Sequence, residues 1–377
     1  MRKVRAIQVG VGGIGSSHLR ALLENDKFEL VAVCDAFPRR PDVKEGLERA
    51  KQAGIPAFTD YRKAFGAVEA EAAVICTPHY WHAPMTIAAL QSGRHVFVEK
   101  PAASSVADVK AMVAAQKKAG RAVAVGFGPT ATGECVGLTH HIANGDLGEI
   151  REVVVVVNWF REDSYYRRSA WVGKKKVDGK WCRDGVIYNQ TSHSIAAALL
   201  LANNREWPTM SVGARAAAAL YRGHPVKRLE MEDLACAVVE LDKPGGARLC
   251  LYATTCNPSQ QSITWVKVFG TKGQATVGSG VIELHNGRRL PVRVPKGMVS
   301  KHDNLYQAVT KGVTPYSPLA EAVKVTETID LIYRSAKDHI QPVKWADLAS
   351  LPEVISRSAA QRCLFGDVSD APAWAKP

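Results

Sequence analysis

From Val4 to about residue 127, short β-branched runs alternate with amphipathic stretches of helical period, and this alternation restricts the fold more than any other feature. The strand candidates are "VRAIQVG", "FELVAVCD", "AAVICTP", "HVFVEK" and "AVAVGF"; between them "SSHLRALLEN", "PDVKEGLERAKQAG", "YRKAFGAV", "HAPMTIAALQSG" and "SVADVKAMVAAQKKAG" read as helices. Parallel strands need long crossovers, and helical crossovers cover both faces of the sheet. Residues 1–127 are therefore expected to form a doubly wound parallel sheet. After them "REVVVVVNWF", "DLACAVVEL", "ARLCLYATTC", "SITWVKVFG" and "QATVGSG" follow as strands, several joined by short turns such as "GTKGQ". This order predicts a large, open, mainly antiparallel sheet in an α+β domain over 128–345, with helices on one face. A tail, 346–377, completes an α/β protein of two domains.

Composition agrees. With 377 residues, 46% of them hydrophobic, the chain has material for two cores, which excludes disorder. The first eighteen residues begin basic and turn apolar, but they are dense in glycine and lack a leucine-rich core and cleavage site, so they read as a strand rather than a signal peptide. The longest apolar run, 195–202, is too short to span a bilayer. Eight cysteines without CxxC spacing point to reduced thiols in a cytoplasmic protein and to no metal site. The net charge of +13 is spread along a chain poor in aromatics and free of nucleic-acid motifs. It fits an anionic cofactor, an acidic small molecule or a basic solvated surface; neither nucleic acid nor membrane is an expected partner.

Residues 10–15 read "GVGGIG" directly after the first strand. Gly10 permits the turn, Gly12 lets backbone approach a pyrophosphate, and Gly15 lets helix and strand pack closely; Gly13 and Ile14 complete the loop, and the helix start offers free N–H groups. Asp35 closes the second strand, where a carboxylate accepts from adenosine ribose hydroxyls. Such an aspartate repels a 2′-phosphate and favours NAD, while Arg39 and Arg40 stand within reach of one and keep NADP open. The plain alternative is a glycine turn beside an unrelated surface aspartate.

Ligands of open α/β sheets bind beyond the carboxyl ends of the strands. Thr77 and Pro78 at the end of the fourth strand are expected along the cofactor, with His79 and His82 nearby or serving only to cap the next helix. The fifth strand ends on Glu99, Lys100 and Pro101. Lys100 is expected to point into the crevice where nicotinamide and substrate meet, in position for proton transfer, with Pro101 setting the chain direction, for which a cis bond is one route. Its alternative is a lysine snorkelling to the surface.

Together, "VGVGGIGSSH", "VCD", "TPHYWHAP", "VEKPAA", "GEI", "GTKGQATV" and "DNLYQAV…SPLAEAVKVTETIDLIYRSA" resemble the Gfo/Idh/MocA family of nicotinamide-dependent sugar and polyol oxidoreductases over roughly residues 3–340. The resemblance implies a Rossmann domain, a C-terminal α/β domain whose open sheet often forms the oligomer interface, and a homodimer or homotetramer. It also implies that Lys100 and His193 face the substrate carbon. Two departures bear on this. The family frequently has an aspartate four residues before the histidine, where this chain has Asn189, which can hydrogen-bond a hydroxyl but cannot act as a base. "GFGPTATGE" lacks an arginine common among relatives. Residues 161–185, dense in basic and aromatic side chains, stand open between a substrate-binding segment and a subunit contact; Tyr165, Arg168 and Trp171 within it, and Tyr188 and Asn189 just beyond it, are candidate substrate contacts. Three functions follow: oxidation of a secondary hydroxyl of a sugar, polyol or sugar acid, glycoside cleavage through transient oxidation by retained NAD, and non-catalytic dinucleotide sensing.

Overall fold

The structure, a computed structural model, describes residues 2–202, 215–224, 226–241, 246–257, 262–336 and 340–342. The expected tail, 346–377, lies outside them. Two compact units are present: the described residues up to Ala131 with Lys296–Thr326, and Thr132–Pro295 with the described residues from Glu327 onward.

In the first unit β1 (Val4–Val9), β2 (Phe28–Cys34), β3 (Ala57–Phe58), β4 (Ala72–Ile75), β5 (His95–Val98) and β6 (Val123–Val125) stand in the order β3-β2-β1-β4-β5-β6. All five pairings are parallel. The crossovers carry α1 (Ile14–Leu23), α2 (Pro41–Gln52), α3 (Tyr61–Ala67), α4 (His82–Gln91) and α5 (Val106–Ala119). Their boundaries follow local chemistry. Pro41 opens α2, where a missing N–H costs nothing; the Ser105 hydroxyl caps α5 by accepting from Asp108 N at 3.1 Å, and Gly120, at φ 62°, ends it. Every residue of β4 is buried, as a strand covered on both faces requires. The winding reverses between β1 and β4, which makes their carboxyl ends the ligand crevice of this unit.

The second unit opens with α6 (Gly133–Ala143). After β7 (Ile150–Asn158) come α7 (Asp163–Arg167), the hairpin β8 (Lys176–Val177) and β9 (Lys180–Trp181), and α8 (Ser192–Ala202). The remaining strands are β10 (Arg215–Arg222), β11 (Leu234–Glu240), β12 (Arg248–Thr254), β13 (Ile263–Gly270), β14 (Gly273–Thr276), β15 (Val281–Leu284), β16 (Arg289–Pro291) and β17 (Ile340–Pro342). These eight and β7 form one nine-stranded sheet, β16-β15-β14-β13-β7-β12-β11-β10-β17, antiparallel except for β7 with β12 and β10 with β17. The nearly all-buried α8 lies against β7, β12 and β13. Strand β10 is alanine-rich and so carries little β signal of its own; its antiparallel register with β11, Ala216 opposite Val239 and Leu220 opposite Ala235, defines it.

Helices α9 (Lys301–Lys311) and α10 (Leu319–Ser335) follow β16 in the chain. A single cut at residue 127 assigns α9 to the second domain, whereas it belongs to the first unit. Leu305 and Tyr306 are buried in one cluster with Val4, Leu19, Phe28 and Phe97, and Lys27 pairs with Asp303 at 2.8 Å. Burial of that apolar face, not position in the chain, decides where the helix goes. Among the described residues no helix is long and apolar enough to cross a membrane.

Candidate active site

The glycine loop follows β1. A Cβ at Gly10, where φ is 89°, would stand 2.6 Å from the Cys76 carbonyl oxygen, and one at Gly15 would stand 2.3 Å from the Gly10 oxygen. Only glycine admits this contact of β1, β4 and α1. Beneath the loop the fully buried Gln8 donates from Nε2 to the carbonyls of both Gly10 (2.8 Å) and Gly15 (2.7 Å). Gly13 faces open space, and the start of α1 has neither a side-chain cap nor an acidic residue in its first turn, so no side chain competes with an anion for the positive end of the helix. Asp35 accepts from Val11 N (3.1 Å) and Phe37 N (3.0 Å), which aims its carboxylate beside the loop and leaves lone pairs for hydroxyl groups. Arg40 is held by Asp42 through two hydrogen bonds of 3.2 and 2.7 Å, while Arg39 is exposed. These residues fit a dinucleotide. A Gly15→Ala substitution forces α1 off β1; it is expected to cost about 1–3 kcal/mol of stability and to weaken NADH binding, both measurable by denaturant titration and NADH fluorescence.

At the end of β5 the strand termini converge on Glu99, which is 5% exposed. Its Oε1 is 2.9 Å from His18 Nε2 and 3.4 Å from Lys301 Nζ, and its Oε2 accepts from the Lys100 backbone N–H at 3.1 Å. Gly126 leaves room for it, since a Cβ there would sit 2.7 Å from Oε1. Burial by itself would raise this carboxyl, but the His18 hydrogen bond and the charge interactions with His18, Lys301 and Lys100 outweigh it and hold Glu99 well below the usual carboxylate range. His18 Nδ1 in turn lies 2.9 Å from His302 Nε2. Lys100 follows half-buried, and its bond to Pro101 is cis.

Thr77 and Pro78 are half-buried at the end of β4, and His79 is buried. His82 is buried too, and its ring spans two carbonyls, Nδ1 2.8 Å from Pro101 O and Nε2 2.7 Å from Thr77 O. It thereby ties the turn after β4 to the turn after β5. Sequence reasoning missed Gln8, His18, Lys301 and His302. His18 was visible inside "GIGSSH", but nothing local joins it to Lys301 and His302, more than 280 residues on.

The buried groups give the two units opposite responses to acid. Burial pushes His82 down to about 4, and burial, helped by His18 and Lys301, pushes His302 down to about 3. An unfolded chain binds those protons near pH 6.5, so the first unit loses stability as pH falls below that value, by up to about 2.7 kcal/mol per pH unit. Glu99 adds to the loss below about pH 4.3, the unfolded value for glutamate. In the second unit burial pushes Glu232 up to about 7, although it accepts from Tyr333 OH and Ile187 N. Its folded form keeps a proton that the unfolded chain sheds near pH 4.3, so this contribution is present at low pH and is lost as pH rises to 7. Hydrogen exchange at pH 5 against pH 7 is expected to show protection lost in the first unit and retained or raised in the second.

In the second unit His193 is half-buried on the first turn of α8. A π-helical turn, Val186–Thr191, leads into it, a form that recurs at functional sites. Within the turn Asn189 donates from Nδ2 to Asp184 Oδ1 at 2.6 Å, while Asp184 Oδ2 accepts from Gly173 N at 2.7 Å. The carboxylate absent from position 189 is thus present one step away, as Asp184. Tyr188 is fully buried, and its ring stacks on Tyr333 at 6.5 Å between centroids. Tyr165 is half-buried and its hydroxyl accepts from Gln190 Nε2 at 2.8 Å; Arg168 is exposed and lies over the Tyr165 ring, and Trp171 is half-buried. The structure thus groups Tyr165, Arg168 and Trp171 within one unit, and ties that group through Gln190 to the turn before His193.

Comparison with known proteins accords with this architecture. Residues 4–127 match Gfo/Idh/MocA, described as an oxidoreductase family with an NAD-binding Rossmann fold, and residues 140–344 match its C-terminal α/β domain. An inositol 2-dehydrogenase from Salmonella typhimurium is 34% identical over 146 residues, 37% of this chain and 42% of that protein. A putative UDP-kanosamine synthase oxidoreductase subunit from Amycolatopsis mediterranei is 31% identical over 191 residues, 50% of this chain and 49% of that one. The chain therefore spans about half or less of the length of these curated relatives. The WlbA dehydrogenase from Bordetella pertussis, solved with NADH and UDP-GlcNAcA, superposes with a TM-score of 0.71 and 28% identity, covering 89% of this chain and 97% of that one. With both domains matched over most of its length and an NAD-binding Rossmann sheet in the first, the chain belongs to the Gfo/Idh/MocA oxidoreductase family.

Proposed function

We propose that this protein is a dehydrogenase that oxidises a secondary hydroxyl of a sugar, polyol or sugar acid, or catalyses the reverse reduction. The observation that carries the reading is the fixing of Lys100. Its backbone N–H is bound to a buried carboxylate at the carboxyl end of β5, in the crevice where doubly wound sheets hold their ligands. When bound, NAD supplies the hydride acceptor. Gly10, Gly12, Gly13, Ile14 and Gly15 present backbone to the pyrophosphate, Asp35 accepts from the ribose, and Thr77 and Pro78 flank the cofactor. With Arg40 occupied by Asp42, the Asp35 carboxylate favours NAD over NADP. Lys100 polarises the substrate hydroxyl oxygen, and His193 takes its proton. Asn189, held by Asp184, orients substrate without acting as a base.

Inositol 2-dehydrogenase among the relatives and UDP-GlcNAcA in the WlbA complex support a carbohydrate substrate. The test is the appearance of NADH absorbance with a panel of polyols, sugars, uronates and nucleotide-linked sugars. The proposal is overturned if no member yields NADH or exchanges deuterium with it. A glycosyl hydrolase family 109 protein from Shewanella pealeana, 34% identical over 113 residues, favours a second reading as a glycoside-cleaving enzyme. That activity would release sugar without net NADH.

A further inference from the structure

Between the end of β7 and the β8–β9 hairpin, two guanidinium groups sit on one tyrosine. Arg168 lies 4.1 Å and Arg161 5.2 Å from the centroid of Tyr165. Arg161 also stands 4.9 Å from Trp159, and Arg168 5.9 Å from Trp171. The nearby ion pairs involve other residues: Arg167 and His224 share Asp163, Lys174 takes Glu230, and Arg183 takes Asp330. Among the described residues neither Arg161 nor Arg168 is within ion-pair distance of a carboxylate. Arg161 Nε is buried without a hydrogen-bond partner.

Two like charges on one ring repel each other, and an exposed ion pair with a neighbouring acid is the ordinary way to relieve this. Arg161 Nη1 donates only a long hydrogen bond to the Phe160 carbonyl, at 3.4 Å, and the aromatic rings hold both guanidinium planes, the arrangement that grips a carboxylate or phosphate in a fork. The platform is also fixed to the candidate catalytic helix. Tyr165 OH accepts from Gln190, three residues before His193, so an anion held there sits at a set position relative to α8.

We propose that Arg161 and Arg168, seated on Tyr165 between Trp159 and Trp171, form an oxyanion subsite that selects sugar substrates bearing a carboxylate or a phosphate. The inference rests on the reading of the protein as a sugar dehydrogenase and names the substrate class of that site. The rings offer apolar faces for the sugar, and the arginines offer the charge that a neutral polyol cannot use.

Calorimetric titration of the full chain with saturating NADH tests it, with D-glucuronate, D-glucose 6-phosphate and UDP-glucuronate as anionic probes and D-glucose as the neutral one. At least one anionic probe is expected to bind tenfold or more tightly than D-glucose, and the glucuronate and phosphate arms separate the two sources of the anion. Arg168→Gln and Arg161→Gln are each expected to weaken that probe by about tenfold to a hundredfold. Arg168→Lys, which keeps the charge but not the fork, should retain part of the preference, and melting curves check that each variant folds. Equal affinity for D-glucose and every anion, or anion binding untouched in both Gln variants, overturns the subsite; a Gln variant that alters only the oligomeric state overturns it in favour of a subunit contact. Oxidation of a neutral polyol with the same KM in parent and variants overturns the subsite and leaves the dehydrogenase standing. Anion binding lost in the variants, with no probe ever reducing NAD, does the reverse.

Discussion

A Lys100→Met enzyme is expected to bind NADH as the parent does and to lose turnover by about 10²- to 10⁴-fold, the usual contribution of a positioned proton-transfer group. The two effects separate because of how position 100 is held. Its backbone N–H donates to Glu99 whatever the side chain, and the turn is tied to Thr77 through His82, so the glycine loop, Asp35 and the end of β4 keep their places. Methionine preserves the length and most of the apolar stem, and removes only the ammonium group. Stopped-flow measurement of NADH binding beside steady-state turnover reads both quantities. Turnover within threefold of the parent would remove Lys100 from the chemistry; a large loss of NADH affinity would mean that its role is to hold the cofactor. His193→Ala should depress turnover on a similar scale, and a higher pH should partly compensate, since hydroxide can replace a missing base.

The second large effect concerns stability. His18→Leu fills the same volume with hydrocarbon and leaves the Glu99 carboxylate buried with the Lys100 backbone N–H and a half-exposed Lys301 as its partners. Leaving a buried carboxylate short of a hydrogen-bond partner costs about 1–3 kcal/mol, and this substitution also strips His302 of its ring partner. The first unit should therefore unfold at markedly lower urea concentration, whereas Glu99→Gln combined with His18→Leu should recover part of the loss, because no buried charge then remains. A double-mutant cycle gives the coupling directly, expected at about 1–3 kcal/mol. Additive single effects would show that Glu99 and His18 do not act as a pair. Two members of this network explain why acid should weaken this unit first: the fold holds His302 neutral and Glu99 ionised, and acid removes both states.

Much of this was readable from short stretches of the chain. The strand–helix alternation and the glycine spacing are set by neighbouring residues, and a doubly wound parallel sheet is expected from them; the strand order β3-β2-β1-β4-β5-β6 comes with the fold. The cis bond at Pro101 and the exposed start of α1 are local as well. Other features have no local trace. Alanine-rich β10 carries little strand signal until β11 pairs with it, and nothing near Tyr188 in the chain announces its stacking on Tyr333. The carboxylate missing at position 189 reappears at Asp184 only when the π-helical turn brings the two side chains within 2.6 Å.

The periodicity of each element and the identity of the groups at the strand ends are already present along the chain, because backbone geometry and side-chain period are properties of neighbouring residues. Packing alone settles which groups answer one another: α9 returning to the first unit, Lys301 and His302 reaching His18 and Glu99, and Asp184 reaching Asn189. Those contacts join residues far apart in the chain or around a turn of irregular backbone. They form because buried charge must find a partner and apolar faces must be covered, conditions that exist only once the chain is compact.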